Sequence, residues 1–352
     1  MEPPVAPMLA KLAETIPAGE GWRYEPKWDG IRVLVFRDGE DVRLISRDDR
    51  PLGRYFPELV ELVGDATEPR WVADGEILVV RPEGLAFDLL LQRIHPAASR
   101  VRKLAAEWPA TLVLFDALAR GDRDFRVLSN DERRAELESL ADTLGAGTAS
   151  DDLAELEPGP AMVLTPRTDD LRVAERWFAD DEGMGQDGVI ARRAEERYRE
   201  GQRAMVKVKH RRTVDCVVAG YRLSKVGDGI ASLLLGLYLG EDLHYVGHTS
   251  SFRAAERREL LERLRPLESE PEGERQDRGG FGEAARSPGG SSRWSRGRES
   301  AWVPLRPELV CEVSIDRMQG DRFRHASTFL RWRPERDPRS CTFDQVTGRQ
   351  SG

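Results

Sequence analysis

The chain has 352 residues, 39% of them apolar and 33% charged, with a formal net charge of −8. That length predicts two domains, and no run of about 18 apolar residues exists to span a membrane. The three cysteines, Cys216, Cys311 and Cys341, form no CxxC or Cys/His cluster, which argues against a zinc site or a disulfide framework.

The opening MEPPVAPMLAKLAET lacks the basic start and apolar run of a signal peptide, so a cytoplasmic protein is expected. Residues 22–46 read as strands separated by turns, with VLVFRDGEDVRLIS as a hairpin about Asp38-Gly39. FPELVELVG predicts a short helix, WVADGEILVV a strand with an Asp-Gly turn inside it, and FDLLLQRI another helix. TLVLFDALA predicts a buried strand, with Phe115-Asp116 at its end. SNDERRAELESLADT, residues 129–143, opens on an N-cap serine and continues as a helix. Residues 170–181 read as helical, and DGVIARR and MVKVKH as strands. Strands and helices without regular βαβ alternation predict an α+β domain over residues 1–210.

The character then changes. TVDCVVAGYRL, ASLLLGLYLG and LHYVGHT are three strands in close succession, SFRAAERRELLERLRPL is a helix, and residues 309–318 and 322–333 read as two more strands. Five strands with one inserted helix is the count of an OB-type barrel, expected over residues 211–352. A Gly-, Ser-, Arg- and Glu-rich stretch at about 267–300 predicts a mobile loop, with Phe281 and Trp294 as local anchors. Between Arg203 and Lys225 seven basic residues face a single acid, Asp215, which leaves room for a basic surface on an acidic protein.

The chemistry centres on Lys27 in EPKWDGIR. An amine must lose its proton before it attacks, and a free lysine, with a pKa of about 10.4, is inert at neutral pH. Burial or nearby positive charge frees the lone pair. Alone, Lys27 reads as a strand-edge lysine beside a turn. Its company changes that reading: Arg32 downstream, Glu76 in a DGE, Asp187 in a DG, and Lys207 and Lys209 two apart in MVKVK, on one face of a strand.

In that order, KWDGIR, Ser46-Arg47, DGE, LVLFD, DGVIAR, VKVK and FLRWRPERD resemble the nucleotidyltransferase superfamily of ATP-dependent DNA ligases, RNA ligases and capping enzymes. EPKWDG, PLRPELVCEV and RHASTFLRWRPERDPRSCTFDQ are most similar to the actinobacterial-type stand-alone ligases called ligase C. The resemblance spans nearly the whole chain. It implies an ATP-grasp-like adenylation domain followed by an OB-fold domain, and an ATP-dependent DNA ligase acting on nicked duplex DNA. It implies Lys27 as the nucleophile that attacks the α-phosphate of ATP, with AMP then passed to the 5′-phosphate and displaced by the 3′-OH. Lys207 and Lys209 would hold the α-phosphate. Glu25, Arg32, Arg47, Glu76, Phe115, Asp187, Arg333 and Arg336 would bind ATP, Phe115 by stacking on adenine. Glu76 and Asp187 would serve Mg²⁺ (or Mn²⁺) or a ribose hydroxyl.

Two departures from the family pattern stand out. Its usual Glu-Gly is Asp187-Gly188 with Arg192 in place of a final lysine, and its R-x-D-K element reads Arg333-Pro334-Glu335-Arg336. A monomer serving auxiliary repair, with other repair factors as partners, is the expectation by resemblance. An RNA ligase or a GTP-using capping enzyme is the alternative with the same lysyl-nucleotide chemistry, and the intact lysines disfavour a catalytically dead binder. Read more plainly, Asp116 is as much a strand-end cap as a site residue, Trp28 is packing, His210 is a solvated strand end, and His244 and His248 are structural.

Overall fold

The protein is seen as a computed structural model describing residues 1–82, 84–148, 156–179, 187–210, 212–224, 229–269, 281 and 301–347. It divides into two compact units, Met1–His210 and Arg211–Gly352.

The first unit carries strands β1 (Leu9–Ala13), β2 (Trp22–Pro26), β3 (Ile31–Asp38), β4 (Asp41–Ser46), β5 (Arg70–Leu78), β6 (Val80–Arg81), β7 (Gly84–Leu85), β8 (Thr111–Arg120), β9 (Arg123–Asp124), β10 (Gly147–Thr148), β11 (Ala161–Leu164), β12 (Val189–Arg193) and β13 (Arg203–Val208). Its helices are α1 (Pro57–Gly64), α2 (Phe87–Arg93), α3 (Ala98–Glu107), α4 (Asn130–Leu144) and α5 (Leu171–Ala179). One sheet runs β1-β13-β12-β2, and a larger one runs β10-β11-β8-β5-β3-β4.

The central strands of the larger sheet are buried on both faces, which is why they read as apolar runs rather than alternating ones. On β3, Val33 and Val35 join the core that contains Phe56, Leu59, Leu137 and Leu140 of the helical side. Leu34 and Phe36, one residue out of phase, join Met8, Leu118, Tyr198 and Met205 on the opposite face. Helix α5 covers the smaller sheet, with Ala174 and Trp177 against Val189, Val206 and Val208. Helix α4 begins with a capping box, Ser129 and Glu132 satisfying each other's backbone N–H groups.

Two strand expectations need correction. Asp74-Gly75 is not a turn: β5 runs straight through it. A Cβ on Gly75 would lie 2.5 Å from the Val113 carbonyl oxygen, and the β5–β8 register slips between Asp74 and Gly75. The Asp-Gly signal therefore marks a bulge where two backbones close in. Phe115-Asp116 lies in the middle of β8, not at its end.

The second unit has β14 (Arg212–Leu223), β15 (Ile230–Leu239), β16 (Asp242–Thr249), β17 (Val303–Ile315), β18 (Met318–Gln319), β19 (Arg322–Phe323) and β20 (Thr328–Trp332). The sheet order is β16-β15-β14-β17-β20. A parallel bridge between Thr249 and Ser327 joins the two outer strands, so the sheet curls closed as an OB-type barrel. The helix Ala254–Leu264 connects the third and fourth main strands and buries Leu260, Leu261 and Leu264. The fourth strand begins at Val303 rather than 309. The fifth is shorter than expected because β18 and β19 form a separate hairpin. All three cysteines are buried in this core as free thiols, Cys216 directly opposite Cys311. Most of the loop expected at 267–300, Trp294 included, lies outside the described residues. Phe281 is buried against Tyr245 and Trp302. Among the described residues no helix is long and apolar enough to cross a membrane.

Candidate active site

Three strand ends of the smaller sheet meet at one place. Lys27 follows the last residue of β2, Asp187 and Gly188 precede β12, and Lys209 follows β13. The Lys27 N–H donates to the Gly188 carbonyl at 2.8 Å, and the Asp187 N–H to the Lys27 carbonyl at 2.9 Å. Gly188 has φ +115°, and a Cβ there would stand 1.9 Å from the Val208 carbonyl oxygen. A glycine is therefore demanded by both conformation and space.

The side chains converge with the backbone. Lys27 Nζ and Lys209 Nζ each lie 2.6 Å from the same oxygen, Oδ2 of Asp187. All three groups are largely buried. Burial raises the Asp187 pKa, but the two lysines outweigh it and hold the carboxyl at about 2. Lys207 lies within β13, opposite Ile190.

On the larger sheet, Glu76 of β5 pairs in register with Arg32 of β3. Burial pushes Glu76 up to about 7, against the lowering effect of Lys27 and Arg32. Arg32 is held by both oxygens of Asp74, at 2.9 and 2.6 Å. The Tyr198 hydroxyl donates to the same carboxylate at 2.6 Å. Phe115 has two guanidinium neighbours, Arg32 at 5.3 Å and Arg192 at 5.2 Å from the ring centre. Arg192 is buried and donates to Asp116 at 2.8 Å. Its Nε is 3.2 Å from Glu25 but has no hydrogen-bond partner, so that contact is ionic. Asp116 also receives Arg133 at 2.7 and 3.1 Å, which makes it the centre of a buried charge network rather than a strand cap.

Lys27, Lys209, Asp187, Glu76, Arg32, Phe115 and Glu25 are thus tied together in the first unit. Arg47 is not: it is exposed in the turn after β4, 3.6 Å from Asp48. Arg333 and Arg336 belong to the second unit, where both rest on Asp215, at 3.0 and 3.4 Å. Of the basic stretch, Arg211 and Lys225 lie outside the described residues. Trp28 is buried and its indole N–H donates to Thr165, so it is packing. His210 is not a solvated strand end. Its ring stacks on Phe178 with centroids 3.9 Å apart.

Several of these partners were not legible as site residues. Arg133 hides in DERRAEL, although it shares the buried face of α4 with Leu137, Leu140 and Ala141. Asp215 was visible only as the one acid in a basic stretch. Tyr198 gave no local signal.

The likeness to known proteins matches this arrangement. A family profile described as ATP dependent DNA ligase domain matches residues 7–209, and one described as ATP dependent DNA ligase C terminal region matches residues 226–336. DNA ligase C of Mycobacterium tuberculosis is 48% identical over 348 residues, covering 98% of this chain and 94% of that protein. DNA ligase C2 of Mycolicibacterium smegmatis is 48% identical over 351 residues, with the same coverage of each. A solved structure titled for Lig E DNA ligases aligns with 94% of this chain and 100% of its own, at 15% identity and a TM-score of 0.51, a likeness of fold. With a lysine, its carboxylate partner and a second lysine at the strand ends of the first matched domain, and an OB-type barrel in the unit that carries the second match, the chain belongs to the ATP-dependent DNA ligases.

Proposed function

We propose that the chain seals nicks in duplex DNA through a Lys27–AMP intermediate. The observation that carries this reading is the pair of amines, Lys27 and Lys209, on one Asp187 oxygen. One amine attacks while the other remains as a cation for the phosphate. Lys27 Nζ loses its proton and forms a P–N bond to the α-phosphorus of ATP, and the bond to the β-phosphate oxygen breaks, releasing pyrophosphate. A 5′-phosphate oxygen at the nick then displaces Lys27 from the AMP phosphorus. The 3′-OH next attacks that 5′-phosphorus, giving the phosphodiester and free AMP. Each step is phosphoryl transfer, in which positioning and charge dominate.

Lys207 and Lys209 are assigned to the α-phosphate, and Phe115 to the adenine. Glu25, ionically paired with the Arg192 guanidinium that neighbours Phe115, is assigned to the base end of the pocket. Arg32 and Arg47 are assigned to ribose or nick phosphate, and Arg333 and Arg336 to the pyrophosphate. Among the described residues no cluster of three ligating side chains could hold a metal alone. That fits a Mg²⁺ held by Glu76 or Asp187 together with phosphate oxygens, where it would neutralise phosphate charge.

The test is covalent labelling with α-labelled ATP and Mg²⁺, read on a denaturing gel. Label should be retained on the wild-type chain, be lost in Lys27→Ala, and disappear on chelation and return with Mg²⁺ or Mn²⁺. Label from GTP alone would point to a capping enzyme. Sealing of nicked DNA beside nicked RNA identifies the substrate. An auxiliary repair role, supported by likeness to the stand-alone ligases, predicts that deleting the gene leaves the host viable; loss of viability would point to replication.

A further inference from the structure

We propose that His210 is a positioning residue for Lys209: by capping α5 it holds the lysine beyond the end of β13 against Asp187. The inference rests on the function proposed for Lys27 and Lys209.

The last carbonyls of a helix have no partner within it. Phe178 is the penultimate residue of α5, and its carbonyl oxygen is met by His210 Nε2. A carbonyl only accepts, so Nε2 carries the proton. The same imidazole lies flat on the Phe178 ring, 3.9 Å between centroids with 15° between planes. One side chain thus grips the helix end twice. The grip is placed where it matters, because α5 packs on Val189, Val206 and Val208, in the strands that run into the site.

Lys209 needs such a grip. The β12–β13 ladder ends at the pair Val189–Val208, so Lys209 stands one residue outside it. On its near side the backbone of Gly188 is jammed against Val208 and Lys209: a Cβ on Gly188 would be 3.1 Å from the Lys209 Cα. On its far side stands His210. A sideways shift of Lys209 therefore also presses on the Asp187-Gly188 segment that carries the shared carboxylate. Misplacing a group in a phosphoryl-transfer site by about 1 Å can slow it up to ~100-fold.

The experiment follows covalent labelling of the full chain in a single turnover, across ATP concentrations, for wild type, His210→Ala, His210→Phe, Lys209→Ala and the double variant His210→Ala/Lys209→Ala. His210→Ala should lower the maximal rate about ten-fold with little change in the ATP concentration for half-maximal rate. His210→Phe, which keeps the stacked ring, should recover part of that rate. In the Lys209→Ala background the His210 change should have almost no further effect, because it acts through Lys209. Unchanged labelling in His210→Ala overturns the proposal. So do effects that multiply in the double variant, or a loss that tracks only a fall in unfolding midpoint and vanishes at lower temperature. If His210→Ala does not fold, His210→Phe in both backgrounds reads the same coupling. Absence of label on the wild-type chain instead overturns the functional reading, and this inference with it.

Discussion

At the scale of single residues, burial and pairing compete, and the outcome differs from one carboxylate to the next. Asp187 has two lysines within 2.6 Å and stays ionised. Glu76 has Lys27 and Arg32 near it, yet burial wins and its pKa stands at about 7 instead of 4.5. Between those values the folded chain holds a proton that the unfolded chain has released. The stability Glu76 contributes is therefore present below about 4.5 and is lost as pH rises through about 7. Glu76→Gln should gain on wild type in urea midpoint from pH 5 to pH 8; a constant difference would mean an ordinary acid. Arg192 shows the opposite balance. It is buried on Asp116 and Glu25, and Arg192→Ala leaves those carboxylates short of a partner. The expected loss is about 3–5 kcal/mol by chemical denaturation. Arg192→Lys, which keeps the charge but not the fork, should lose less.

Among the elements, the glycines after the acids matter as much as the acids. Gly188 holds φ +115° with the Val208 carbonyl against it. Gly188→Ala should cost at least about 2 kcal/mol, from strain and from the forced separation of β12 and β13. It should also slow labelling, because Asp187 and Lys209 part together; a stable, fully active Gly188→Ala would show that the strand ends are not rigidly joined. Strands, the hairpin and the helix starts were readable because their signals are local: the Ser129 capping box, the apolar runs of β3 and β8, and the turn at Gly39, with φ +60°. The Asp74-Gly75 bulge was not readable. The same dipeptide serves a turn and a close approach, and only the β8 neighbour distinguishes them.

Over the whole molecule, each unit builds its own apolar core. Buried residues 214–341 form one cluster in the second unit, and the cores around Val33, Leu34, Trp177 and Trp28 are all in the first. Residues 1–210 should therefore fold alone. Urea unfolding of the full chain should show two transitions by combined fluorescence and circular dichroism; one coincident transition, or an unfolded 1–210 fragment, would show that each unit depends on the other.

The sequence by itself determined the family and most of the order of elements, and it put Lys27 forward among its acids and lysines, because motif spacing and strand alternation are properties of the chain; β1, α3 and β11 went unread. Tertiary structure alone decided which charges meet. Lys27, Asp187 and Lys209 are separated by 160 and 22 positions yet share one oxygen, and Asp215 takes up both Arg333 and Arg336. It also decided that Asp116 is a buried counter-ion and His210 a helix cap. Partner choice in a buried network depends on which strand ends lie side by side and how much water they exclude, and no local window of residues carries that information.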